Sequence, residues 1–217
     1  MRLQAAVVAV AAVALLAAVS CRTAGPAALP ADPAMTVGAL STVLVARDEA
    51  WGRRRFKALF RGEASSKAGL TVRGYLALYW DGEELSWRAS VPLAGSPRSG
   101  TVRRSGGEAG ELFPGRLAAA DVLAVLLGIP EEIPSGEGAL VRGGRIELRL
   151  SSGDGRAVLV STPGGVTGLS LPGGVRVELA PGAGVPRRIE LRGPEGRALL
   201  TLESYGGWAE GEEIPKG

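Results

Sequence analysis

The chain has 217 residues, a formal net charge of +3, and a composition that is 46% hydrophobic, 22% charged and 5% aromatic. This length supports one globular domain of roughly 150–180 residues with a substantial core, and the small net charge argues against a nucleic-acid partner. The 33 glycines and 14 prolines indicate many short segments separated by turns, which favours a mainly β fold.

The N-terminus has the pattern of an export signal. Arg2 precedes an uninterrupted apolar run over residues 5–19, shorter than the ~20 apolar residues that a membrane-spanning helix needs. The run ends in Leu16-Ala-Ala-Val-Ser-Cys21, which is similar to a lipobox, the site at which a bacterial lipoprotein is acylated and cut. We therefore expect residues 1–20 to be a signal peptide and Cys21 to be the site of lipid attachment. The alternative is a plain secretory signal with an incidental cysteine.

Cys21 is the single cysteine of the chain, so it has no partner for an intramolecular disulfide. Acyl chains contribute about 0.8 kcal/mol per buried methylene, so a fully acylated cysteine is a stable anchor. Arg22 follows it, and the absence of aspartate there favours the outer membrane under the common sorting rule. Residues 21–35, rich in Ala, Pro and Gly, are expected to be a flexible tether. The predicted location is the periplasmic face of the outer membrane.

The remaining residues, 36–217, are predicted to form one domain that begins with a helix. Val37, Leu40, Val43 and Leu44 recur at helical spacing between residues 36 and 53, which predicts an amphipathic helix. The three arginines at 53–55 suit the end of a helix, although they also suit an anionic lipid or nucleic-acid contact.

The pattern then changes to strand periodicity. Apolar residues alternate over 70–80, Asp81-Gly82 is a turn signal, and the alternation continues over 85–91, which predicts a β-hairpin. Residues 117–127 predict a short buried helix that ends at Gly128. At least five further strands are predicted near 145–150, 157–161, 175–179, 188–191 and 198–202, separated by glycine-rich turns.

The usual catalytic groups are missing from the sequence. There is no histidine, which excludes nucleophile–histidine pairs and ordinary zinc sites. The paired glutamates at 83–84, 131–132 and 212–213 fit solvated loops, and the Gly-Gly doublets at 164–165 and 173–174 lack phosphate-loop spacing. We expect no catalytic residue, no metal and no cofactor, and hence a protein that is not an enzyme.

Three segments resemble the LolA/LolB superfamily of lipoprotein carriers and receptors, and within it the LolB-like outer-membrane lipoproteins. Residues 74–95 match a strand, hairpin, strand and Pro-Leu-Gly loop, residues 120–130 match a short helix ending in Gly-x-Pro, and residues 189–208 match two closing strands and a final tryptophan. The resemblance implies an α+β fold, mainly β: a curved antiparallel half-open β-barrel with the N-terminal helix and the short internal helix packed in or across its concave side.

The resemblance also implies a function, namely binding the acyl chains of lipoproteins or related lipids in an apolar cavity and helping to deliver them to the outer membrane. The inner face of the hairpin would supply the cavity wall, although each residue also suits an ordinary core: Leu76, Leu78, Trp80, Leu85, Trp87 and Val91. Leu93 matches the leucine of a loop that enters the membrane, although one exposed leucine is also unremarkable on a surface. The protein would act as a monomer, with a periplasmic carrier as a further candidate partner. The alternative is a structural or assembly lipoprotein that docks an envelope protein and has no lipid cavity.

Overall fold

The computed structural model describes residues 28–29, 33–51, 55–92, 96–104, 118–130, 136–142, 145–151, 156–161 and 165–207. These ranges hold two α-helices, α1 (Pro33–Trp51) and α2 (Ala119–Leu127), and a short 3-10 helix, Pro172–Gly174. They also hold twelve strands: β1 (Ala28–Leu29), β2 (Phe56–Ser66), β3 (Thr71–Trp80), β4 (Glu84–Ser90), β5 (Arg98–Arg103), β6 (Gly136–Arg142), β7 (Arg145–Ser151), β8 (Ala157–Ser161), β9 (Gly165–Leu171), β10 (Val175–Ala180), β11 (Arg188–Gly193) and β12 (Gly196–Gly207).

All neighbouring strands of the sheet are antiparallel. Their order is β1-β6-β7-β8-β9-β10-β11-β12-β2-β3-β4-β5. Of the described strands, β1 and β5 have a neighbour on one side only, so the sheet stays open between them. The predicted fold class, a mainly β protein built on an open antiparallel sheet with two helices, is confirmed.

The burial of α2 explains why the sheet curves. Every residue of this nine-residue helix except Ala120 is buried. A helix that is apolar nearly all round needs cover on all sides, and the inner faces of the strands supply it with alternate residues such as Phe60, Leu148 and Ile189. The core therefore lies on the concave side of the sheet, with α2 inside it.

The elements with strong local signals lie where the sequence predicts them. β3 and β4 form the expected hairpin, in which Asp81 Oδ1 accepts the N–H of Glu83 at 2.8 Å and that of Glu84 at 2.7 Å. α2 ends at Gly128, whose φ of 72° is in the left-handed region that favours glycine. Five strands, β7, β8, β10, β11 and β12, overlap the five runs predicted in the C-terminal half.

Four longer strands and one short strand were not predicted. β2 begins directly after the arginines at 53–55, in a stretch where the sequence predicts no strand before residue 70, whereas β5 carries a single buried apolar residue, Val102. β6 and β9 lie among glycines that indicate turns. β1 lies within the segment predicted to be a flexible tether, and α1 begins at Pro33, before the predicted domain start at residue 36.

Candidate functional site

The predicted cavity wall is a single apolar surface inside the sheet. Leu76, Leu78 and Trp80 of β3 share the inner face with Leu85 and Trp87 of β4, and all five are buried. Val91 follows β4 and is half-buried. The five buried residues belong to one apolar core that also includes α2. The structure thus brings these side chains together, and their role as an acyl-chain wall stays a prediction.

Trp87 makes a close contact at the edge of this surface. Its Nε1 and Cε2 atoms lie 3.0 Å from the place where a Cβ on Gly100 would stand, and its Cζ2 lies 2.9 Å from it. The indole therefore lies against the backbone of the edge strand β5, where only glycine leaves room. The Trp87 Nε1–H is buried with no hydrogen-bond acceptor in the described part of the chain.

The helix α1 is apolar on two opposite sides. Val43 is fully buried, and Leu40 and Ala46 pack partly against the core. On the other side, Val37 is 67% exposed and Val45 is 53% exposed. The amphipathic stripe predicted from the sequence is therefore wrong in part, because Val37 and Leu44, which share it with Val43, are exposed.

A cavity of about 210 Å³ lies beside α1, at the end of the sheet where α2 ends and β10 turns into β11. Its lining is contributed by α1, the end of α2, the start of β9 and the β10–β11 loop: Thr42, Ala46, Glu49, Leu127, Gly128, Ile129, Gly165, Val166, Pro181, Gly182, Gly184, Val185 and Pro186. Most of these residues are apolar or glycine. None of the six residues predicted from the sequence lines it.

The shape of this cavity depends on two close approaches at glycine. A Cβ on Gly128 would lie 2.7 Å from Cγ of Pro186, so the C-cap of α2 and the β10–β11 loop fit together only without a side chain there. Gly184 has a φ of 127° and lies against the Tyr205 hydroxyl. The sequence predicts Gly128 as the end of a short helix and a glycine-rich turn between the strands near 175–179 and 188–191. These signals do not indicate a site, because they do not reveal which distant elements meet.

The polar groups around the cavity are few. Thr42 donates its hydroxyl to the carbonyl of Gly38 at 2.9 Å, so this hydroxyl is satisfied within α1. Glu49 supplies a carboxylate to the cavity lining. Deeper in the core, Arg156 donates to Asp121 Oδ1 at 2.9 Å, which neutralises the buried carboxylate in the first turn of α2. An apolar chain fits this environment better than a charged ligand does.

The outer face of the sheet carries a separate charged cluster centred on Glu190. Arg188, Arg192 and Arg197 approach its carboxylate at 3.1, 2.7 and 3.0 Å, and only 6% of its side chain is exposed. Burial alone would raise the pKa of Glu190, but hydrogen bonds from Arg192 and Arg197 and their positive charges lower its pKa below the ordinary value. Glu190 therefore holds its charge in the folded protein.

Several predicted features fall outside the described residues. These are the signal peptide, Cys21, Leu93, Trp208 and the glutamate pairs at 131–132 and 212–213. The glutamate pair at 83–84 is described, and in it Glu84 accepts a hydrogen bond from Arg103 at 2.8 Å. No described helix is long and apolar enough to cross a bilayer. Within the described ranges, His, Cys, Asp and Glu residues form no group of three that is suited to a metal ion.

No protein-family model and no curated protein matches the chain. Among solved structures, the chain is similar to a LolA superfamily protein from Nitrosomonas europaea, with 10% identity over 77% of this chain and 92% of that one and a TM-score of 0.42. It is also similar to a domain from Vibrio parahaemolyticus described as an outer membrane lipoprotein-sorting protein, with 10% identity over 81% of this chain and 94% of that one and a TM-score of 0.43. Similarities at this low sequence identity do not indicate a function. The basis for inferring one is the set of contacts within the chain itself.

Proposed function

We propose that the protein is a LolB-like lipoprotein of the outer membrane that binds an acyl chain between α1 and the end of its curved sheet where β10 turns into β11. It takes up the acyl chains of lipoproteins or related lipids and helps to deliver them to the outer membrane, and no bond is made or broken. The observation that carries the proposal is the position of α1, a helix apolar on both sides that borders a largely apolar cavity.

The size of the cavity requires α1 to move when a chain binds. At about 210 Å³ the cavity is smaller than the roughly 300–1,000 Å³ of ordinary ligand pockets. Val43 is the only described α1 residue with a fully buried side chain, and exposing such a side chain costs about 1.5–3 kcal/mol. Burying roughly four methylenes of an acyl chain offsets that cost. The free energy available from one acyl chain is therefore enough to shift α1 outward.

One observation favours the second candidate, a structural lipoprotein that docks an envelope protein without a lipid cavity. The hairpin side of the interior is packed, because Leu78, Trp80 and Leu85 are completely buried in the same core as α2. A protein that only docks a partner needs no more interior space than this. The two candidates differ in whether the space beside α1 opens to an acyl chain.

Uptake of an acylated peptide separates the two candidates. The chain from Arg22 onward contains every described element, whereas a start at Met35 would remove β1 and the first residues of α1. We would mix it with a palmitoylated peptide and count bound ligands by native mass spectrometry. The carrier proposal predicts one bound peptide per chain, and loss of binding in Ala46→Trp, which fills the cavity from α1.

Ser41→Trp is the matched control, because Ser41 is exposed on the same helix and does not line the cavity. It should leave uptake unchanged. A folded wild-type chain that takes up no acylated peptide would support the docking protein instead. An equal loss of peptide uptake in both tryptophan variants would show that the cavity is not the binding site.

A further inference from the structure

One end of the sheet brings together two turns from different parts of the chain, and we call it the turn end. Residues 67–70 connect β2 to β3, and residues 194–195 connect β11 to β12. The backbone N–H of Lys67 donates to the carbonyl of Glu195 at 2.9 Å, so the two turns are in direct contact. Gly196 permits this approach, because a Cβ there would meet the backbone of Ser65 and Ser66. The antiparallel register places the first residues of β10 at the same end.

Three arginines lie side by side at the turn end. Arg176 of β10 is paired in register with Arg192 of β11, which is paired in turn with Arg197 of β12. We call these three residues the arginine row. Their strand neighbours Val177, Leu191 and Ala198 are buried on the inner face, so the row lies on the outer face. Like charges directly opposite each other destabilise a sheet. The arginine row is therefore unfavourable unless anionic groups bind to it.

The protein's own carboxylates neutralise the row only in part. Glu190 accepts from Arg192 and Arg197 and also from Arg188. Two further acidic residues lie nearby: Glu178, which faces Glu190 across β10 and β11, and Glu195, which is exposed in the turn between β11 and β12. Four arginines thus share three carboxylates. Arg192 remains 61% exposed and Arg197 52% exposed. Each guanidinium has five N–H donors, more than these carboxylates can accept, so donors remain for a phosphate from solution.

The turn end also exposes apolar side chains. Leu70 is 72% exposed in the β2–β3 turn, and Val72, at the start of β3, is 46% exposed. Lys67 lies in the same turn and is exposed as well. An apolar projection next to basic residues is the combination that proteins use at the surface of an anionic membrane, where the apolar side chains enter the headgroup region and the basic ones contact phosphates.

We propose that the turn end docks onto a membrane surface rich in anionic lipid, with headgroup phosphates on the arginine row and Leu70 inserted between headgroups. The contact orients the domain relative to the bilayer. This membrane contact depends on neither the cavity beside α1 nor the acylation of Cys21. Its test is therefore independent of the test of the proposed function.

Sedimentation with lipid vesicles tests the docking surface. The chain from Arg22 onward, which has neither signal peptide nor Cys21 acylation when expressed in this form, is mixed with vesicles of phosphatidylcholine alone or with one third phosphatidylglycerol. We expect preferential binding to the anionic vesicles, about fivefold weaker in Arg176→Gln and weaker in high salt. Leu70→Ser should lower binding by roughly tenfold.

Lys57→Gln is the control with the same change of charge, because Lys57 is exposed on the outer face near the opposite end of β2. Retained binding in this variant and loss in Arg176→Gln support the proposal. Equal binding to both kinds of vesicle, equal loss in both variants, or binding to polyglutamate without binding to vesicles would overturn it. Circular dichroism of each variant confirms that a loss of binding is not a loss of folding.

Discussion

Glu190 controls the charge balance of the outer face of β10, β11 and β12. Its carboxylate is almost completely covered by Arg188, Arg192 and Arg197, which are themselves half exposed. A buried carboxylate is unfavourable unless its charge is paired. The three arginines supply that pairing, and in return the carboxylate reduces the repulsion between neighbouring guanidiniums.

Glu190→Gln should therefore destabilise the protein by about 1–3 kcal/mol, because the three arginines lose their shared ionised acceptor. The lowered pKa gives the wild-type protein a stabilisation that is complete above the unfolded-state value of about 4.5 and is lost as the pH falls through the lower folded-state value. Urea unfolding at several pH values measures both effects. Glu178→Gln, at an exposed position, is the control and should change stability by less than about 0.5 kcal/mol. An unchanged stability in Glu190→Gln would contradict the role of the cluster.

Gly100 determines how Trp87 packs against β5. An added Cβ would meet the indole at 2.9 Å, so Gly100→Ala must push Trp87 out of its place in the core. We expect a destabilisation of about 1–3 kcal/mol and an altered tryptophan fluorescence spectrum. Gly206→Ala is the control, because a Cβ there meets no atom within 4 Å. If both alanine variants were equally stable, the described packing of Trp87 would be wrong.

At the scale of elements, the accuracy of the sequence prediction follows the strength of the local signal. The β3–β4 hairpin has regular alternation and an Asp-Gly turn, and α2 has an apolar run closed by glycine, so both were predicted correctly. β5 and β9 have weak patterns of their own and are held in place by their neighbours in the sheet. The cavity was missed for the same reason, because it joins α1 to a loop more than a hundred residues further along the chain.

The hairpin turn gives a prediction at this scale. Asp81 Oδ1 accepts two backbone N–H groups, so Asp81→Ala leaves the turn without these bonds. We expect a loss of roughly 1–2 kcal/mol in thermal or urea unfolding. Glu83→Ala, which removes an exposed side chain in the same turn, should have little effect. Similar losses in the two variants would show that the carboxylate of Asp81 is not what stabilises the turn.

At the scale of the whole molecule, the sequence predicts a lipid anchor at Cys21, and the structure shows the domain that follows it. Labelling cells with an alkyne analogue of palmitate tests the anchor, which lies outside the described residues. The wild-type protein should be labelled and recovered with the outer membrane, whereas Cys21→Ala should carry no label. Label on the Cys21→Ala variant would place the lipid elsewhere, and an unlabelled wild-type protein would favour a plain secretory signal.

The inside of the domain has both a packed core and a cavity beside α1. The core on the hairpin side and α2 fix the sheet, while α1 has one fully buried residue among its described side chains and exposed apolar residues on its other side. Elements with few buried contacts are the ones that open at low free-energy cost. The movement that the proposed function requires is thus assigned to α1, and the core stays intact.

The most direct test of this account is to locate a bound acyl chain. A palmitoyl probe with a photoreactive group at its end would be mixed with the chain from Arg22 onward, irradiated, and mapped by peptide mass spectrometry. The account predicts labelling of α1 around Thr42 and Ala46 and of the β10–β11 loop around Val185, with labelling reduced in Ala46→Trp. Labelling confined to the outer face of the sheet, or labelling unaffected by Ala46→Trp, would contradict a binding site beside α1.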